Sequence, residues 1–183
     1  MGPLYGFNWR HFGAQYGTCK DDYTNKGHDQ LLQLIRCLRK EPTSRRHIMT
    51  SYDPSTAEKA CLYPCHSIVV QCFVRNGFLD LVQYQRSADA FLGLPFNIAS
   101  SALLLIILAQ QVDLKAGKLT VQLGDVHLYS THEDAARTQI KRQPLPFPTY
   151  SIESQVNIDA YELKHFHLRH YRCHKHLPVP MSL

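Results

Sequence analysis

The residues able to do chemistry gather in a few short runs. Pro64-Cys65-His66 sets a thiol beside an imidazole. A thiolate is a strong nucleophile, and cationic neighbours favour its formation. Taken alone the pair is a weak signal, since a cysteine next to a histidine more often packs than reacts. The company it keeps changes that reading. Twenty positions after Cys65 comes Gln85, within Tyr84-Gln85-Arg86-Ser87-Ala88-Asp89, and then Phe91-Leu92-Gly93-Leu94-Pro95-Phe96-Asn97-Ile98-Ala99-Ser100. A purely structural segment would rarely need so many polar groups, and Arg86 is the natural cation for a thiolate. Arg45-Arg46 offers paired guanidinium groups, which hold a phosphate dianion by bidentate bonds or else simply face solvent after a helix. His127 and Tyr129, two apart on a strand, share a face. Five of the eleven histidines crowd the tail, where Cys173-His174-Lys175-His176 invites a metal reading. Adjacent residues seldom all reach one ion, and no second ligand cluster accompanies them.

The elements that must position these groups are partly legible. Leu31, Leu32, Leu34, Ile35 and Leu38 recur at helical spacing, with Asp29 as a cap and Pro42 as the stop. Ser67 to Val74 and Phe78 to Gln85 flank Asn76-Gly77, a dipeptide suited to a type I′ turn, and predict a β-hairpin. A buried central helix should begin near Pro95 and run through Ala109. Lys118 to Tyr129 reads as a strand, a short helix should start at Thr131, Pro144 to Pro148 as a loop, and His165 to Tyr171 as a last strand. Helices and strands are mixed, so the expected class is α+β: a mainly antiparallel or mixed sheet with a long buried helix.

At 183 residues, with 44% hydrophobic and 19% charged residues, the chain has material for one core and lacks the charge excess of a disordered segment. One domain over residues 1–183 is expected. Twenty basic against fifteen acidic residues give +5, which suits a phosphate-bearing ligand but falls short of a dedicated nucleic-acid binder. The six cysteines are too irregularly spaced for a disulfide scaffold. The longest apolar run, Ala102 to Ala109, is shorter than a membrane span, and the N-terminus lacks signal-peptide features. A cytoplasmic location without membrane association is therefore expected.

On these motifs the sequence resembles the thymidylate synthase family, which also contains dCMP hydroxymethylases. The opening Gly2 to Ala14, Arg45-Arg46, Pro64-Cys65-His66, the two polar runs, and Gly124-Asp125-Val126-His127-Leu128-Tyr129 follow in family order at near-family spacing. The resemblance covers nearly all of residues 2 to 183, which correspond to about the last two thirds of a usual member.

That resemblance implies reductive methylation of dUMP to dTMP. Methylenetetrahydrofolate is the co-substrate, and no metal takes part. Carbon 5 of uracil is a poor nucleophile, so a thiolate, here Cys65, must first add to carbon 6. By resemblance Arg86 and Ser87 from one subunit and Arg45 and Arg46 from its partner hold the phosphate, which implies a homodimer. His66, Gln85 and Asp89 fall among the dUMP-binding positions. Asn97 matches the amide that donates to uracil O4 and accepts from N3, whereas a carboxylate there serves cytosine. His127 and Tyr129 match the pair that bonds the ribose 3′-hydroxyl. Tyr5 matches a tyrosine near the waters that remove the carbon 5 proton. Asp89, Leu92, Gly93 and Phe96 match the folate-facing wall.

Three departures stand beside the match. The family's first third, with a glutamate that organises catalytic waters, has no counterpart in this sequence. Cys65 to Gln85 is one residue longer than the family spacing, the surplus lying before Gln71, which puts the hairpin register in question. His165, His167, Arg169 and His170 replace a usually acidic stretch, and Cys173 and Lys175 flank His174 in place of prolines. They leave room for a catalytically silent nucleotide-binding or dimerising remnant, or for RNA or metal binding by the tail.

Overall fold

In the computed structural model, residues 2–181 are described. The elements run α1 (Gly6–His11), α2 (Gln30–Lys40), β1 (Ile48–Thr50), β2 (Val69–Arg75), β3 (Phe78–Asp89), α3 (Gly93–Gln111), β4 (Lys115–His127), α4 (Glu133–Gln139), β5 (Thr149–Ile152) and β6 (Phe166–Arg169). Four strands form one sheet in the order β1-β2-β3-β4, and β5 pairs with β6. The first two pairings of the larger sheet are antiparallel and β3–β4 is parallel, with α3 as the crossover between them. The α+β class and the mixed sheet are as expected.

Local chemistry explains the elements. The Asp29 side chain accepts the Leu32 N–H at 2.9 Å and caps α2, whose buried face is Leu31, Leu34, Ile35 and Leu38, the i, i+3, i+4, i+7 pattern. Asn76 and Gly77 both have positive φ, 51° and 81°, as the type I′ turn requires. Arg75 therefore pairs with Phe78, and the ladder continues without interruption to Val69 and Tyr84. The register question is answered ahead of β2. Ser67, at φ 50°, turns the chain before the ladder starts, and its hydroxyl donates to Gln83 Oε1 at 2.7 Å.

Several boundaries differ from the sequence expectation. Helix α3 begins at Gly93, two residues before Pro95, because Asp89 Oδ1 accepts the N–H groups of Phe91 (3.0 Å) and Leu92 (3.2 Å) and turns the chain early. Strand β4 ends at His127, so Tyr129 lies beyond it. Ser130–His132 forms a short 3₁₀ turn before α4. Strand β6 stops at Arg169 because His170 takes φ 59°. Helix α1 and strands β1 and β5 carry too few residues to show a period.

The core lies between the sheet and helices α2 and α3: Leu34, Ile35 and Leu38 meet Met49, Val70, Leu79, Leu81, Leu105 and Leu108. Leu108 is fully buried. Leu108→Ala is expected to cost about 2–5 kcal/mol, because the packed surroundings relax only partly into the hole. A denaturant midpoint unchanged from the parent would contradict this placement.

The burial of α3 is one-sided. Leu105, Leu108 and Ala109 are buried, while Phe96, Ile98 and Leu103 are exposed. Over its 19 residues it is long and apolar enough to cross a membrane. The expectation drawn from the eight-residue run missed this, because the asparagine, serines and glutamines that extend the helix carry no charge. Its inner face packs as that of a helix lying on a sheet.

Candidate active site around Cys65

Strand β3 carries the core into the site. The face that gives Leu79 and Leu81 to the interior gives Gln83 and Gln85 further along, both fully or nearly fully buried. A polar end on a buried face is where a strand can address a ligand. Beyond the hairpin ladder, Arg86 N–H donates to Cys65 O at 2.8 Å, which ties the thiol's loop to β3. The parallel neighbour β4 fits closely here, since a Cβ at Gly124 would sit 2.6 Å from Arg86 O.

Cys65 is half-buried, and two side chains meet its sulfur. Tyr5 Oη lies 3.4 Å from Sγ and accepts the Cys65 N–H at 3.2 Å. His66 Nδ1 lies 3.7 Å from Sγ, and the His66 ring stacks on Tyr5 with centroids 4.3 Å apart. Because the Tyr5 oxygen already accepts from the backbone, its hydrogen is free to point at sulfur. Tyr5 reaches there from an uncommon backbone, φ 34°, at the start of α1. Asn8 holds that helix down by donating to Ser51 O at 2.8 Å and Pro3 O at 3.2 Å.

Burial, then the bond with Cys65, pushes the Tyr5 phenol up to about 12, and burial pushes the His66 imidazole down. Near neutral pH the sulfur thus faces a protonated phenol and a neutral ring. Cys72, in the core, is pushed up to about 12 by burial. Both Tyr5 and Cys72 hold native protons above the ordinary values of 10.0 and 9.0 that the unfolded chain follows. Their contribution to stability is therefore full below about pH 9 and lost as pH rises toward 12. Tyr5→Phe is expected to flatten the part of that loss lying above pH 10. A denaturation series from pH 8 to 11.5 checks it, and identical alkaline limbs for parent and variant would refute it.

The Arg86 guanidinium is aimed at the loop carrying the thiol. Its Nε donates to Pro64 O at 3.1 Å, and its carbon sits 5.2 Å from the centre of the Tyr63 ring. Among the described residues it makes no hydrogen bond to the Cys65 sulfur. Its outer nitrogens remain available for an anion, and Ser87 follows half-buried on β3. Gln85 Nε2 donates to Asn97 Oδ1 at 2.9 Å and to Ser87 O at 3.0 Å, joining β3 to the first turns of α3. The rings of His127 and Tyr129 meet edge to face at 5.0 Å, and His127 Nδ1 lies 3.4 Å from Asp125 Oδ2.

Thus Tyr5, Cys65, His66, Gln85, Arg86, Ser87 and Asn97 are linked by contacts. Asp89 stands at the same end of β3, with His127 paired beside it across β4. Arg45 and Arg46 are apart from this group, exposed on the loop before β1 with their side chains unpaired by any carboxylate among the described residues. Leu92 and Phe96 line a cleft of about 720 Å³ between the start of α3, the Pro144–Pro148 loop and the tail, where Arg142, Arg172 and Lys175 add positive charge. Gly93, next to Leu92, opens α3. Tyr63 was not visible in the sequence as a partner of Arg86, because an aromatic in an irregular loop has no periodicity to mark it. Among the described residues no group of three metal-ligating side chains gathers, and His174 Nε2 instead bonds Gln143 O at 2.8 Å.

A family profile described as thymidylate synthase matches residues 1–183. The chain is 43% identical over 183 residues to the bifunctional dihydrofolate reductase-thymidylate synthase of Paramecium tetraurelia, covering all of this chain and 39% of that protein. It is 44% identical over 192 residues to the thymidylate synthase of Saccharomyces cerevisiae, covering 63% of it. Against the thymidylate synthase of Varicella-zoster virus the identity is 43% over 184 residues, covering 61%. The chain spans under two thirds of the length of these relatives.

Proposed function

Because the chain belongs to the thymidylate synthase family, we propose that it carries the nucleophile and the dUMP-binding face of an enzyme that makes dTMP by reductive methylation. The observation that supports this most is the setting of Cys65: half-buried, touched by a protonated phenol and a neutral imidazole, and tied through its carbonyl to Arg86. On this reading the Cys65 sulfur uses its electron pair to bond uracil carbon 6, and the pair of the carbon 5–carbon 6 double bond is displaced through carbon 4 toward O4 as an enolate. The Tyr5 hydroxyl holds the sulfur in line and leads toward the carbon 5 proton. Asn97, fixed by Gln85, reads the uracil edge. Arg86 and Ser87 hold the phosphate, His66 and Asp89 border the nucleotide, and His127 and Tyr129 hold the 3′-hydroxyl.

Methylenetetrahydrofolate, when bound, supplies the carbon and the hydride. The cleft beside Phe91, Leu92 and Phe96 has the size and apolar lining such a molecule needs; Asp89 holds the backbone N–H groups of Phe91 and Leu92 there, and Gly93 is assigned to the same folate side. The free, exposed Arg45 and Arg46 are assigned to the partner's site in a cytoplasmic homodimer.

A binding-only role is the second reading, favoured by the Arg86 guanidinium's lying on Pro64 O and the Tyr63 ring and not on the Cys65 sulfur. Release of tritium from 5-tritiated dUMP with the folate present separates them. Release that depends on Cys65 supports the enzyme, and no release above a Cys65→Ser control supports a binding remnant.

A further inference from the structure

We infer that His132 is a positioning residue that latches the C-terminal tail to the Asp89 end of the site. This rests on the assignment of Asp89 to the folate side proposed above. The imidazole is fully buried. Its ring is gripped edge-on by Tyr129 at 5.4 Å and at a tilt by Phe91 at 5.7 Å. The two ring nitrogens face different things. Nε2 lies 2.8 Å from Pro180 O, deep in the tail. A carbonyl can only accept, so Nε2 carries the proton. Nδ1 points toward Asp89, 3.9 Å from Oδ1, and has no hydrogen-bond partner.

Among the described residues the tail has few other ties. From Tyr171 to Met181 the residues are exposed apart from the half-buried Leu177 and Val179. Pro178 and Pro180 have no N–H to give a neighbouring strand, so at those two positions the carbonyl is the backbone group left to bond. Arg142 donates to Lys175 O at 2.6 Å and His174 reaches Gln143 O, but these ties involve exposed groups near the start of the tail. His132 supplies the hold near its end from a ring that cannot move without disturbing Tyr129 and Phe91. The same ring stands against the carboxylate that turns the chain into α3 through Phe91 and Leu92. Tail position and Asp89 position are therefore read by one side chain, and a ligand that orders either is felt by the other.

The test compares the full chain with His132→Ala and His132→Gln. Amide hydrogen exchange of the peptide spanning 171–181 is measured first, then titration with methylenetetrahydrofolate in the presence of dUMP. In His132→Ala the tail should exchange at least tenfold faster, and folate affinity should fall several-fold. His132→Gln should recover the slow exchange, because its amide N–H can stand in for Nε2 toward Pro180 O. Should His132→Ala expose Cys72 to thiol reagents, showing a general loss of structure, the glutamine variant decides. Tail exchange unchanged in His132→Ala, or faster in a folded His132→Gln, overturns the latch. Faster tail exchange in a protein that binds neither ligand keeps the latch and removes the site reading instead.

Discussion

Cys65→Ser is expected to lower the release of tritium from 5-tritiated dUMP by roughly a thousandfold or more, a loss on the scale seen when a covalent nucleophile is removed. The reason lies in the groups around the sulfur. A thiol is partly ionised near neutral pH and is intrinsically a good nucleophile, whereas a serine hydroxyl needs a strong base beside it. Tyr5, pushed up to about 12, is a proton donor here and not a base. His66 is neutral, but its Nδ1 is 3.7 Å from the present sulfur. An oxygen, with its shorter bond to carbon, would sit farther still. Neither neighbour can rescue the hydroxyl. Binding of dUMP should change little, because Arg86, Ser87 and Asn97 are untouched. Equal release from parent and variant would place the chemistry elsewhere.

How much of this was legible in the sequence depends on the range of the interactions involved. Asn76-Gly77 fixes the hairpin through its own backbone angles, and Asp29 caps α2 within three residues, so both could be read locally. The parallel pairing of β3 with β4 could not, because it depends on α3 carrying the chain back across the sheet. The alternation of β3 was readable, but not that the buried face would turn from Leu79 and Leu81 to Gln83 and Gln85. These core glutamines are explained by the partners that meet them, the Ser67 hydroxyl at Gln83 and the Asn97 amide oxygen at Gln85. Arg86 was expected at the sulfur, yet its Nε goes to Pro64 O and its guanidinium carbon lies near the Tyr63 ring, leaving the outer nitrogens open to an anion. Charge type was legible; aim was not, since a long side chain chooses its partner from the whole fold. His132 shows the same limit, because a histidine next to a helix start gives no sign that Pro180, 48 residues on, will cover it.

Asn97→Asp should reverse the nucleotide preference, weakening dUMP by about tenfold to a hundredfold and strengthening dCMP relative to it. Gln85 decides the geometry. Its Nε2 fixes Asn97 Oδ1 at 2.9 Å, so Oδ1 keeps one lone pair free and the Asn97 amide N–H groups point away from Gln85. An acceptor beside a donor matches the N3–H and O4 of uracil. In the Asn97→Asp variant the Gln85 bond survives, since a carboxylate oxygen accepts as well as an amide oxygen. The donor is lost, and an anionic oxygen then faces the O4 lone pairs. Toward cytosine the same oxygen meets the 4-amino group and accepts from it. Titration of parent and variant with both nucleotides measures the change, and a parent that binds dCMP more tightly than dUMP would overturn the role given to Asn97. Gln85→Leu separates orientation from contact: freeing the Asn97 amide to rotate should weaken the discrimination between the two nucleotides without inverting it, because a rotated amide can present its donor or its acceptor to either base.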